Sequence, residues 1–148
     1  MIILFEQFQS NYIIKQLNTL KKEKKFQKAL SDTLPVFDLW LNKDKYNIYA
    51  TYNKKKIVGG MIINLEPGIY KTYKPDVALT YFIIKPAYRQ RGLGRELIQL
   101  AQSKYNSIIT STNPKQTSLN AIRMYKRMNF KIIKEFKDGS KYWYWKSI

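Results

Sequence analysis

The sequence contains no cysteine and no histidine, has only 10 acidic residues against 27 basic ones, and offers no long apolar run. Without cysteine there is no disulfide, no thiol nucleophile and no thiolate metal ligand; without histidine the usual general base and zinc ligand are missing as well. Glycine and proline are sparse, at 6 and 5 residues, and no repeat, low-complexity tract or linker breaks the chain. No window reaches the length of a membrane helix, and Met1–Phe5 is too short, and too soon followed by Glu6, for a signal peptide. The 148 residues therefore predict one cytoplasmic domain, 1-148, with no membrane association and no metal site. Its chemistry must rest on groups other than thiol and imidazole.

What is present is positive charge. The formal net charge is +17, which suits a polyanionic cofactor, an acidic partner or nucleic acid. Lys, Asn, Ile and Tyr are all abundant, as an AT-rich coding sequence would make them, so part of the lysine excess has a reading that involves no ligand. The hydrophobic share of 45% is that of a globular protein.

The chain is organised around residues 85–100. An apolar β-type run, Val77 to Ile84, leads to Pro86; Arg89-Gln90-Arg91-Gly92-Leu93-Gly94 then opens a helix with Leu93, Leu97, Leu100 and Ala101 at helical spacing. A helix N-terminus presents unpaired N–H groups and the positive end of the peptide dipoles, and glycine lets a phosphate approach that backbone. Three of the five arginines, Arg89, Arg91 and Arg95, stand here although lysine dominates elsewhere, and guanidinium forks match phosphate oxygens well. The spacing is neither Gly-x-Gly-x-x-Gly nor a P-loop, which disfavours dinucleotide and NTP sites.

Downstream lies Ser118-Leu119-Asn120-Ala121-Ile122-Arg123-Met124-Tyr125-Lys126-Arg127-Met128-Asn129-Phe130. The first block resembles the Arg/Gln-x-x-Gly-x-Gly/Ala motif of the GCN5-related N-acetyltransferase (GNAT) family, and the second resembles that family's Asn-x-x-Ala-x-x-x-Tyr-x-x-x-Gly-Phe signature. The likeness extends over residues 46–145. It implies an α/β (α+β) fold: a mixed, mostly antiparallel sheet of about six to seven strands flanked by helices, with a splayed central parallel pair, Val77 to Ile84 and Ser107 to Thr112.

The resemblance also implies a reaction. Acetyl-CoA would be the acyl donor, and a primary amine of a small molecule or protein would attack it directly in a ternary complex. The backbone at Phe82, Ile83 and Ile84 would contact the acetyl-pantetheine arm. The turn Arg89, Gln90, Arg91, Gly92, Leu93, Gly94, with Arg95, would hold the pyrophosphate. Tyr125 would protonate the departing thiolate, or else pack with Ala121 and Met128 on one helix face. The motif asparagine falls at Ser118, with Asn120 two residues on, so these two are the candidates for its cofactor contact. Asn129 stands where the motif has glycine and tolerates the left-handed conformation a helix C-terminus needs.

No general base is identifiable. Glu66, Asp76, the C-terminal carboxylate and a water chain past Thr80 and Tyr81 are the options. Two alternatives to a small-amine or protein acetyltransferase stay open: a nucleic-acid-modifying acyltransferase of the same fold, suggested by the +17 charge, and a non-catalytic CoA- or nucleic-acid-binding module. Monomer and homodimer are equally compatible with the sequence.

Around this centre, Ile2 to Phe5 predicts a strand, Gln9 to Leu30 a helix with Ile13, Leu17 and Leu20 on one face, and Pro35 to Leu41 a second helix capped by Ser31, Asp32 or Thr33. The charge run Lys21–Lys25 has two readings, a solvated helix face or an anion-contacting patch. Tyr46 to Tyr52 and Ile57 to Leu65 predict an antiparallel pair, with Gly59 and Gly60 marking a bulge or close packing. Phe130 to Lys137 and Lys141 to Trp145 predict a hairpin turning at Asp138-Gly139.

Overall fold

The computed structural model describes residues 12–17, 45–68 and 72–148. In chain order these form β1 (Tyr12–Leu17), β2 (Tyr46–Asn53), β3 (Lys56–Asn64), β4 (Val77–Ile84), α1 (Leu93–Lys104), β5 (Ser107–Thr112), α2 (Leu119–Arg127), β6 (Lys131–Glu135) and β7 (Lys141–Lys146). A short 3-10 turn, Pro86–Tyr88, follows β4. The strands make one seven-stranded sheet in the order β1-β2-β3-β4-β5-β7-β6. It is mostly antiparallel, and β4–β5 is its parallel pair. This is the expected fold class.

The described residues divide into two compact units, one running to Ile62 and resuming at Tyr81–Leu97, the other made of Ile63–Thr80 and Ile98–Ile148. In the first, β2 and β3 contribute Ile48, Ala50, Ile57 and Ile62 to a core bordered by Tyr46, Tyr52, Tyr81 and Ile83. Lys54 turns the hairpin between them in the left-handed region, at φ 57°. Gly59 is required for close packing: a Cβ there would lie 2.5 Å from Ile84 Cδ1 and 2.9 Å from the Ile83 carbonyl oxygen.

The N-terminal helix expected from Gln9 fails where it can be tested. Tyr12–Leu17 is a strand, antiparallel to β2 in the register Tyr12↔Asn53 to Leu17↔Ile48. Ile13, assigned to a buried helical stripe by its spacing, is 50% exposed. Tyr12, Ile13 and Ile14 are aromatic and β-branched, which suits a pleated surface, and pairing with β2 overrides the helical periodicity. The expected strand Ile2–Phe5, the remainder of the Gln9–Leu30 helix, the Lys21–Lys25 run and the Pro35–Leu41 helix lie outside the described residues.

In the second unit β5 is buried at Ser107, Ile108, Ile109, Thr110 and Thr112, as a central parallel strand should be. Its register against β4 is pinned at one end: Asp76 N–H donates to Ser107 Oγ (2.8 Å), and Asn106 N–H donates to Asp76 Oδ2 (3.0 Å). Trp143 on β7 is buried, and its Nε1–H donates to Thr112 Oγ1 at 2.9 Å. Tyr144, on the opposite side of β7, meets Tyr73 of the loop between β3 and β4 at 5.8 Å between ring centroids. The β6–β7 hairpin turns through Gly139 at φ 88°. β6 is an outer strand, with Lys131, Ile132, Lys134 and Glu135 exposed and a register shift between Ile132 and Lys134.

Candidate active site

The first unit holds the phosphate-type turn. β4 ends at Ile84; the 3-10 turn and residues 89–92 follow, and α1 begins at Leu93. Glu96 N–H donates to the Gly92 carbonyl at 3.1 Å, the first bond of the helix, which leaves the N–H groups of the opening turn without intrahelical partners. Gln90 and Gly92 both have positive φ, 63° and 79°. Left-handed residues alternating with ordinary ones turn successive N–H groups into an anion-binding nest. A Cβ on Gly92 would meet no atom within 4 Å, so this backbone faces open space. Leu93, by contrast, is buried and anchors the helix.

The arginines of the turn are held. Arg89 Nε donates to the Ile84 carbonyl at 2.9 Å, tying the turn to the end of β4. Arg91 Nη1 donates to Tyr12 Oη at 2.9 Å, and its Cζ lies 5.4 Å from the Tyr88 ring centroid. Arg95 is exposed on the first turn of α1. Phe82 and Ile83, half-buried on β4, and buried Ile84 lead directly into this turn.

The second unit holds Tyr125. The parallel register runs Val77↔Ile108, Ala78↔Ile109 and Leu79↔Thr110, while β4 continues to Ile84 and β5 to Thr112. At the last of these pairs Thr110 Oγ1 donates to the Leu79 carbonyl at 3.0 Å and is also hydrogen-bonded to the Tyr125 hydroxyl. Tyr125 is 5% exposed, and burial raises its phenol above the ordinary value, against a smaller lowering by Thr110. Its ring packs on Phe130 (5.5 Å between centroids) and Trp143 (6.2 Å).

The C-terminus of α2 follows from sequence. Asn129 takes φ 69°, Asn129 N–H donates to the Lys126 carbonyl (3.2 Å), and Phe130 N–H donates to the Tyr125 carbonyl (2.9 Å). These two bonds and the Phe130–Tyr125 ring contact make a Schellman motif. The left-handed asparagine expected in place of glycine is thus observed. At the other end Ser118 is the N-cap: its Oγ accepts from Ala121 N–H at 3.2 Å. Asn120 is exposed in the first turn of α2. Of the suggested bases, Asp76 is occupied in pinning the β4–β5 register, whereas Thr80 is exposed on β4.

Sequence reasoning found the turn and Tyr125 but missed their partners: Thr110 and Leu79 for the phenol, Tyr12 and Tyr88 for Arg91. Thr110 did not stand out, since Ser107, Ser111 and Thr112 of the same strand are polar too. Tyr12 carried no signal. Among the described residues no cluster of carboxylates has metal-ligand geometry, and no helix is long and apolar enough to cross a membrane.

A family model for the acetyltransferase (GNAT) domain matches residues 44–132. The chain belongs to the GNAT family. No curated protein matches this chain, but solved acetyltransferase structures share its fold. One is Arabidopsis thaliana NAA60 in complex with acetyl-CoA, 13% identical, with a TM-score of 0.68 over 91% of this chain and 99% of that one. A second is Arabidopsis thaliana Naa50 in complex with the bisubstrate analogue CoA-Ac-MVNAL, 17% identical, with a TM-score of 0.67 over 91% and 98%. A third is the ribosomal-protein-S18-alanine N-acetyltransferase from Escherichia coli, 15% identical, with a TM-score of 0.66 over 93% and 95%. The GNAT acyl donor is acetyl-CoA, and this turn suits its pyrophosphate: left-handed residues, open space over Gly92 and free helix N–H groups coincide.

Proposed function

We propose that this chain is an acetyl-CoA-dependent N-acetyltransferase acting on a primary amine of a small molecule or protein. When bound, acetyl-CoA supplies an already activated acyl group, so the chain's own residues need only bind, orient and manage protons. The N–H groups of residues 89–94 hold the pyrophosphate, helped by Arg89 and Arg91. The main chain of Phe82–Ile84, beyond the last parallel pair Leu79↔Thr110, orients the acyl arm. Arg95, Ser118 and Asn120 are secondary contacts; for Ser118 this role competes with its cap.

The observation that carries the reading is the hydrogen-bonded series Tyr125, Thr110, Leu79, because it stands where the parallel pairing stops. Thr110 fixes the direction of the phenol, and burial keeps it protonated at neutral pH. Tyr125 Oη is then the proton donor to the leaving thiolate, in a chain with no histidine or cysteine to share that task. A protein or peptide acceptor draws support from the neighbours: one holds CoA-Ac-MVNAL and another is named for an alanine of a ribosomal protein.

The test is incubation with labelled acetyl-CoA and a panel of polyamines, aminoglycosides, peptides, tRNA and DNA. Label on an amine of the first three supports the reading. Transfer to tRNA or DNA alone would replace it with nucleic-acid modification, and acetyl-CoA binding without any transfer would leave a binding module.

A further inference from the structure

Between Glu96 and Glu135 the chain has no acidic residue and seven basic ones, and all seven are exposed. Lysine is abundant everywhere in this sequence, but arginine is scarce. Three of the five arginines stand in or beside the turn before α1; the other two, Arg123 and Arg127, are both on α2. They lie one turn apart, on the side of α2 opposite buried Tyr125, with exposed Lys126 beside them.

Cations at the end of a helix commonly answer its last carbonyls. Here those carbonyls are taken. Met128 N–H donates to Met124 (2.9 Å), Phe130 N–H to Tyr125 (2.9 Å) and Asn129 N–H to Lys126 (3.2 Å), while Gln102 Nε2 donates to the Met128 carbonyl (2.8 Å). Nor does a carboxylate among the described residues pair with Arg123, Lys126 or Arg127; Glu135 goes to Lys141 at 3.9 Å. The Gln102 bond also brings the end of α1, with exposed Lys104, up to the end of α2, and the Schellman turn leads straight to exposed Lys131. Three elements of one compact unit thus collect like charges at one end of α2. Their mutual repulsion is relieved by a polyanion.

We infer that this face, Arg123, Lys126 and Arg127 with Lys104 and Lys131, docks the sugar-phosphate backbone of a nucleic acid. The inference goes beyond the acetyltransferase reading and does not rest on it: Ser118 and Asn120, the cofactor candidates of this helix, are at its other end. At 1.5 Å per residue α2 is about 13 Å long, and a duplex carries one charge per about 1.7 Å of axis, so the face spans several phosphates. Guanidinium forks match phosphate oxygens, and both arginines point this chemistry outward. A membrane leaflet fits less well, because it needs an apolar side to insert, and Leu119 is the one exposed large apolar residue of α2. An acidic protein would likewise look for an apolar or aromatic centre to its interface. Contacts to phosphate alone position a nucleic acid without reading its sequence.

The test is a fluorescence-anisotropy titration of the full chain against labelled duplex DNA and duplex RNA of about 20 base pairs, repeated between about 50 and 200 mM salt. The wild type is expected to bind at roughly micromolar strength, more weakly as salt rises. The triple variant Arg123→Gln, Lys126→Gln, Arg127→Gln should lower the slope of log K against log salt by about 2 to 3, at about 0.9 per lost contact. Arg123→Gln alone should lower it by about 1, and the pair Arg123→Lys, Arg127→Lys should keep most of it. A control triple, Lys15→Gln, Lys55→Gln, Lys137→Gln, removes the same charge from exposed positions elsewhere and should leave the slope as in the wild type. Circular-dichroism melts check that each variant is folded. A preference for one duplex would name the partner as DNA or RNA, and equal binding would name the phosphodiester backbone they share. An equal loss of slope in the control triple, binding to neither duplex, or binding to polyglutamate or phosphatidylglycerol vesicles in place of nucleic acid would overturn the inference. Each of these leaves the acetyl-CoA reading untouched.

Discussion

The Tyr125 hydroxyl is hydrogen-bonded to Thr110, the β5 residue at which the parallel pairing with β4 ends. The same tyrosine is fastened through its backbone, where its carbonyl accepts from Phe130 N–H at 2.9 Å. Side chain and main chain are therefore both fixed, so the position of the phenol is a property of the fold rather than of a bound ligand. That lets its chemical and structural contributions be separated.

Tyr125→Phe keeps the ring on Phe130 and Trp143 and removes only the hydroxyl. Because Thr110 still donates to Leu79, the stability cost should be about 0.5–1.5 kcal/mol. Loss of general-acid catalysis should slow turnover by about a hundredfold to ten-thousandfold. Turnover, acetyl-CoA affinity and urea unfolding measured side by side check this; equal turnover would reduce Tyr125 to a packing residue.

Burial raises the Tyr125 phenol, and this has a consequence in alkali. The neutral phenol contributes its full stability below the unfolded value of about 10. Above it the unfolded chain releases a proton that the native chain retains, so the contribution falls as pH rises through the raised native value. Relative to Tyr125→Phe, the wild type should lose stability only above pH about 10, which thermal melts of both proteins across that range would reveal.

Asn129 has φ 69°. Asn129→Ala forces a Cβ-bearing residue without a compensating polar group into that region and should destabilise by about 1–2 kcal/mol. Asn129→Gly should be neutral or slightly stabilising. Chemical denaturation of the pair tests it, and similar midpoints for the two variants would refute a left-handed cap.

Gly92 combines φ 79° with open space around its would-be Cβ. Gly92→Ala introduces conformational strain of about 1–2 kcal/mol, whereas Gly92→Asp adds negative charge beside the phosphate. Gly92→Asp should lower coenzyme A affinity far more than Gly92→Ala while both stay folded. Calorimetry giving the two variants equal affinities would show strain, not charge, to be the cause.

Most strands could be read from the chain because each carried its own local signal: the lysine-rich turn before Lys56, the apolar run from Val77, the Asp138-Gly139 corner. The glycine- and arginine-bearing turn before α1 was legible from its spacing, and Tyr125 was singled out by the resemblance of its block to the family signature. The fate of Tyr12–Leu17 was not, because Ile13 and Leu17 fit a helical stripe equally well and only pairing with β2 decides against it. Nor was Thr110 legible as the phenol's partner, since that contact joins residues of β5 and α2 and no local rule encodes it. The tie between Tyr12 and Arg91 spans 79 positions and had no sequence signal.

The outer strand β6 also determines how the molecules meet one another. An exposed strand edge invites a neighbour to add its own strand, the first step toward sheet-to-sheet polymers. Here the shift between Ile132 and Lys134 breaks the run of regularly spaced backbone groups, and exposed Lys131 and Lys134 put like charge where a second copy would dock. A chain rich in isoleucine and tyrosine thus keeps this end of its sheet closed to growth. Crowded solutions of it should hold separate molecules rather than filaments.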